Sequence, residues 1–237
     1  MAETRAAKYS IICSDRPRNG KTLVARLIAD YHLLCQHETE IFDLSSDPRG
    51  LTLYFPVRGR RTDLTKTADQ MALLDRALTS PPHDCVVYVP PHLNGEFFNY
   101  LHQFDFSAAA RAHHIEIIIY YVVDKASGSL SAAEAVRVGN PDNRFIIVWN
   151  EAFLPSVREG FATGLLNTLK KDGQLVLPKL PPNLLKPVED PGFSFSNFVL
   201  SDEPRLPSAM ADQLKEFLAD IFRQLDAIEE AGEAAAD

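Results

Sequence analysis

Short apolar runs alternate with stretches of helical periodicity along most of this chain. Tyr9 to Cys13, Glu40 to Leu44, Cys85 to Val89, Ile115 to Val123, Phe145 to Trp149 and Gln174 to Leu177 are near-continuous apolar runs, the pattern of strands buried on both faces. Ile115 to Val123 is the strongest, being rich in β-branched and aromatic residues. Between them, Lys21 to Cys35 places Leu23, Leu27, Ala29, Tyr31 and Leu34 at helical spacing. Thr67 to Thr79 sets Met71, Leu74 and Leu78 on one face. Helices are also predicted over Phe106 to His114, Ser131 to Val138, Leu154 to Lys171 and Ser208 to Ile228. Strands alternating with helices predict an α/β domain with a mostly parallel sheet and helices on both faces. A single domain over residues 1–228 is expected. The proline-rich stretch from Pro178 to Pro207 reads as irregular surface within it, and residues 229–237 as an acidic, flexible tail.

Composition narrows the classes. The chain has 237 residues, 46% of them hydrophobic, which suits one sizeable core. A formal net charge of −8 argues against broad attraction to nucleic acid or anionic lipid. Cys13, Cys35 and Cys85 are widely spaced and read as reduced thiols. No apolar run reaches the ~18 residues of a membrane span. Met1 to Lys8 lacks the apolar stretch of a signal peptide, so a cytoplasmic setting is the expectation.

The chemistry concentrates between the first strand and the first helix. Asp15-Arg16-Pro17-Arg18-Asn19-Gly20-Lys21-Thr22 ends in the Gly-Lys-Thr of a phosphate-binding P-loop, in the strand–loop–helix context that motif requires. Main-chain N–H groups from Arg18, Asn19, Gly20, Lys21, Thr22 and Leu23, with a helix start behind them, suit phosphate oxygens. Lys21 is placed to reach the β- and γ-phosphates of ATP, and the Thr22 hydroxyl to meet Mg²⁺. Two residues depart from the pattern: Pro17 has no N–H to give, and Asp15 stands where the first glycine belongs.

This loop resembles the deviant Walker A loop of the ParA/MinD group of P-loop ATPases, written K-G-G-x-G-K-[ST]. Aligned on Gly20-Lys21-Thr22, the signature lysine falls on Arg16 and the two glycines on Pro17 and Arg18. The resemblance implies a SIMIBI-type P-loop NTPase fold and a nucleotide-sandwich homodimer, in which Arg16 reaches the partner's phosphates. Ile41 to Thr52, containing Asp43, Asp47 and Pro48, is similar to the group's D-x-D-P-Q-G segment. That similarity implies that Asp43 or Asp47 places Mg²⁺ and the attacking water. Asp84 to Pro91 resembles the Y-D-x-V-I-I-D-x-P-P strand, but the Walker B aspartate falls on Tyr88. A phenol, with its pKa of about 10, does not replace a carboxylate there at neutral pH. Phe145 to Asn150 resembles the strand whose final asparagine reads adenine, which would be the role of Asn150. Pro178 to Pro181 resembles the loop that passes near the base.

The remaining candidates are weaker. His113-His114 has no Cys or carboxylate at ligand spacing, and His32 and His37, five residues apart, do not share a helix face. His92 follows Pro90-Pro91 near the crevice. Arg58, Arg60, Arg61 and Lys66 form a basic cluster, read as a solvated face or as a surface for nucleic acid or an acidic partner. The final helix and tail are acidic, a poor match for DNA or a membrane surface. The leading expectation is an ATP-binding, dimerising switch that acts on a protein partner to position or assemble a cellular structure, with weak or no hydrolysis. The alternatives are a non-hydrolysing pseudo-ATPase scaffold, and an ATP-dependent small-molecule kinase or ligase.

Overall fold

A computed structural model describes residues 5–48, 50–79, 83–124, 128–152, 167–201 and 206–236. Seven strands form one all-parallel sheet. They are β1 (Ala7–Cys13), β2 (Thr39–Asp43), β3 (Gly59–Arg61), β4 (Asp84–Tyr88), β5 (Ile115–Val123), β6 (Arg144–Asn150) and β7 (Gln174–Leu177). Their order across the sheet is β3-β2-β4-β1-β5-β6-β7. The chain first builds β2 and β3 to one side of β1, inserts β4 between β2 and β1, then builds β5, β6 and β7 to the other side, so the strand order reverses beside β1. In parallel sheets, ligands bind outside the carboxyl ends of the strands at such a reversal.

Both faces are buried, as the unbroken apolar runs require. Along β1, Tyr9, Ile11 and Cys13 join one apolar layer and Ile12 joins the other, the period-two alternation of a strand. The first layer packs against α2 (Thr67–Leu78), α3 (Asn94–Gln103), α4 (Phe106–Ala112) and α5 (Ser129–Gly139) through Leu73, Phe97, Phe106 and Leu130. The second packs against α1 (Lys21–Leu34), α6 (Pro182–Glu189), α7 (Phe195–Leu200) and α8 (Ser208–Ala236) through Leu27, Leu184, Phe195 and Leu218.

The six predicted strands are present, with ends shifted by at most two residues. Besides α3, a helix where none is predicted, three features differ from expectation. The edge strand β3 forms inside the basic cluster, where no apolar run announces it. The Pro178–Pro207 stretch contains α6 and α7 rather than irregular surface. It buries Leu184, Val188, Phe193 and Phe195, and its Val188 and Phe193 carbonyls accept hydrogen bonds from the buried Arg26 guanidinium at 2.8 and 3.0 Å. That guanidinium also lies 3.7 Å from the centre of the Tyr54 ring, so a cation on α1 organises a segment rich in prolines. Third, α8 continues past Ile228 through the acidic stretch to Ala236. Arg144 donates to the Ile228 carbonyl and Arg5 pairs with Glu229 at 3.2 Å, which hold this extension to the sheet. The helix expected over Leu154 to Lys171 lies for the most part outside the described residues, as does Arg49. No helix among the described residues is long and apolar enough to cross a membrane.

Candidate functional site

The loop from Ser14 to Gly20 leaves the end of β1 and feeds α1. Gly20 has φ +90° and Arg18 φ +61°, left-handed values that turn the chain sharply into the helix. Glycine adopts this backbone at low cost; at Arg18 it is strained. Among the described residues, the main-chain N–H groups of Asn19, Gly20 and Lys21 have no hydrogen-bond partner. They precede a 14-residue helix whose first turn has no acidic residue. These are the ingredients of an anion site: free donors, a helix start and a nearby cation.

The cation is Lys21. Its side chain is buried and donates to the Val89 carbonyl at 2.8 Å, with the ammonium 5.0 Å from the centre of the Tyr88 ring. Burial lowers its pKa to about 8, against the opposing influence of Cys13 and Asp15. An ammonium held this way is only partly compensated, so a polyanion at the loop would favour its charged form.

Asp15 turns away from this hollow. Its Oδ1 accepts from the Ser129 hydroxyl at 2.8 Å, and its Oδ2 pairs with Arg16 at 3.4 Å. Arg16 itself is exposed, on the outer side of the loop with Pro17 and Arg18. Beneath the loop, Asn19 Nδ2 donates to the Val122 carbonyl at 3.1 Å, and Asn150 Nδ2 donates to the Asn19 carbonyl at 3.0 Å. Asn94 Nδ2 donates to the Ser14 carbonyl at 2.7 Å. Three asparagines thus tie the loop to β5, β6 and the start of α3. Asn150 is engaged with the loop backbone and the Ala152 N–H, with its amide turned inward.

The acidic segment behaves differently from what its motif implies. Asp43 ends β2 in direct register with Tyr88 at the end of β4. Its Oδ1 accepts the Ser45 N–H at 2.9 Å and its Oδ2 the Thr52 N–H at 3.3 Å, so the carboxylate caps the helical turn Leu51–Leu53. Burial raises its pKa, with the Ser45, Thr52 and Leu51 N–H groups pulling the other way. A Cβ on Gly50 would collide with this carboxylate, which explains the glycine. Asp47 is exposed, and its carbonyl accepts from Arg61 at 3.0 Å. Tyr88 occupies the strand end that the Walker B aspartate would take. Burial raises the pKa of its phenol, opposed by a hydrogen bond with the Thr22 hydroxyl.

The donor set therefore fits phosphate oxygens. It fits a divalent cation poorly: both Asp43 oxygens already accept main-chain hydrogen bonds, and Thr22 faces a phenol. Leu23 is half-buried behind the loop on α1. The sequence pattern located the loop, Lys21, Thr22, Asp43 and Tyr88 on one edge. It missed Asn94 and Ser129, which carry no motif and act only because α3 and α5 begin beside β1.

No family model matches the chain, and a search of curated proteins finds no match. Solved structures match its fold over most of its length. The MinC:MinD cell division protein complex of Aquifex aeolicus is 12% identical, with a TM-score of 0.53, covering 90% of this chain and 96% of that one. A nucleotide-binding protein of Archaeoglobus fulgidus, in complex with ADP, is 12% identical with a TM-score of 0.50, covering 79% of this chain and 87% of that one. The sheet order, the strand–loop–helix at β1 and these likenesses agree on one statement: the chain has the α/β fold seen in the MinD cell division protein.

Proposed function

We propose that the protein is a nucleotide-dependent switch that binds ATP at the loop from Arg18 to Leu23. The observation that carries this reading is the set of unpartnered N–H groups at Asn19, Gly20 and Lys21, backed by the buried Lys21 ammonium. In this reading the Lys21 ammonium would leave the Val89 carbonyl for the phosphates. The bound nucleotide supplies a polyanion that favours the ordered loop over other arrangements, as population shift requires. Arg16, exposed on the outer side of the loop, is positioned to face a second copy of the chain, so that nucleotide and dimer formation are linked. The Aquifex MinD protein, found in complex with MinC, supports the idea of a protein partner that reads such a dimer.

Hydrolysis in this reading is weak or absent. Tyr88 stands where a carboxylate would assist the metal, and Asp43 is committed to its cap. Asp47 is the remaining acidic group of the segment that can approach the phosphates without breaking a buried cap. Asn150 supports the loop rather than selecting a base.

Calorimetry with ATP and Mg²⁺, paired with sizing of the same samples, tests the proposal. Wild type binds ATP and shifts toward a dimer; Lys21→Ala does neither. ATP affinity falls as pH rises through about 8, because the phosphates favour the protonated Lys21. Equal ATP affinity in wild type and Lys21→Ala would mean that the site lies elsewhere.

A further inference from the structure

At the opposite edge of the sheet, where strands begin, three side chains converge that no motif connects. His32 lies in the last turn of α1, His37 in the loop that follows, and Asp84 is the first residue of β4. The Nδ1 atoms of His32 and His37 lie 3.0 and 3.1 Å from the same Asp84 oxygen, Oδ2. His32 and Asp84 are each 2% exposed, while His37 is partly open to solvent. Despite these distances, both Nδ1 atoms are buried without a properly aimed hydrogen bond. One carboxylate oxygen is thus approached by two ring nitrogens, and Arg5 reaches it as well at 3.2 Å.

We propose that His32, His37 and Asp84 form a binding site for a divalent transition-metal cation of the zinc class. Two imidazoles and a carboxylate are donors that favour zinc over magnesium or calcium. Ligands about 2.0–2.1 Å from a tetrahedral ion lie about 3.3 Å apart, close to the two nitrogen–oxygen separations here, and the three ligand atoms all lie within 4.8 Å of one another. The other nitrogen of His32, Nε2, lies 3.5 Å from the Ser10 hydroxyl. A proton on Nε2, directed at Ser10, leaves the Nδ1 lone pair to the metal, the outer-shell arrangement that orients metal-binding histidines.

A fourth ligand is at hand. Glu229 of α8 places Oε1 3.8 Å from His32 Nδ1. Arg5 now bridges Asp84 at 3.0 Å and Glu229 at 3.2 Å, so its guanidinium supplies the positive charge that a cation would replace. The cation and Arg5 compete. The partly exposed His37 ring marks the way in. Bound metal would join the end of α1, the start of β4 and the extension of α8, far along the strands from the phosphate loop.

The test uses the full chain, stripped with chelator and titrated with Zn²⁺ alone, then with Co²⁺ as a spectroscopic probe. One Zn²⁺ binds per chain, and Co²⁺ gives the visible absorption of a four-coordinate nitrogen and oxygen site. His37→Ala weakens Zn²⁺ binding by at least about tenfold. Arg5→Gln strengthens it, and replacement of His113 and His114 together leaves it unchanged. Should His37→Ala fail to fold, His37→Gln carries the same expectation. The proposal is overturned if wild type takes up no Zn²⁺, if the His37 variant binds as wild type does, or if binding is lost with His113 and His114. A failure here leaves the ATP reading intact, because none of these residues belongs to the loop.

Discussion

The two edges of the sheet are held by different physics. Where strands end, the loop is tied by neutral amide hydrogen bonds from Asn19, Asn94 and Asn150, with Lys21 and Asp43 as buried charged residues beside it. Where strands begin, ion pairs do the tying: Asp84 meets Arg5 at 3.0 Å, with the His32 and His37 rings beside it, and Lys8 meets Glu116 at 2.6 Å. Their aspartates titrate in opposite directions. Burial raises the pKa of Asp43. At Asp84 burial also pushes upward, but His32 and Arg5 outweigh it and hold the carboxyl well below its usual range. An edge that leaves main-chain donors free suits an incoming anion. An edge with converging carboxylates and imidazoles is already close to satisfied, or suits a cation.

The largest effect is expected from Asp84→Asn. It strips the charge from a buried cluster and leaves Arg5 with Glu229 alone as its partner, at a cost of about 3 kcal/mol in urea unfolding near neutral pH. Because the folded-state pKa of Asp84 is depressed, its contribution is present above the unfolded value of about 3.9 and is lost as pH falls below it. The gap between wild type and Asp84→Asn should therefore close in acid. At Asp43 the sign reverses: with a raised folded-state pKa, its contribution is lost as pH rises through that value. A gap at Asp84 that persists unchanged at low pH would break the contrast between the edges.

A smaller effect is expected at the other edge. Asn150→Ala removes a buried donor to the Asn19 carbonyl and an acceptor for the Ala152 N–H, costing about 1–2 kcal/mol with little pH dependence. Urea midpoints measured across pH provide the check, and ATP affinity should fall with the loosened loop. The smallest effect belongs to Arg16→Ala. Its pair with Asp15 is exposed, so unfolding should change by no more than about 0.5 kcal/mol. Nucleotide-linked dimerisation should nevertheless weaken, as sizing with ATP would show. A large loss of stability would make Arg16 part of the framework rather than a surface group.

The edge that carries the loop was legible because its parts are contiguous. Gly20, Lys21 and Thr22 act through consecutive backbone positions at a helix start, and Asp43 and Tyr88 follow from the ends of recognisable strands. What could not be read there was orientation. Asp15 turns to Ser129, Asn150 turns to the loop, and the Asp43 carboxylate caps a turn, each decided by elements remote in the chain. The Pro178–Pro207 stretch misled for a similar reason. Its prolines suggest irregular surface, while the buried Arg26 that organises it lies on α1, more than 150 residues earlier.

The sequence by itself determined the layered α/β sheet and the place of the phosphate loop, because apolar period and turn chemistry are local properties written into neighbouring residues. Only the tertiary structure decided that His32 and His37, which share no helix face, meet at Asp84. That meeting depends on the pairing of β2 with β4, which sets Thr39 opposite Asp84, and on α1 ending beside them. Register and helix packing join positions about 50 residues apart, and no spacing in the chain encodes that distance.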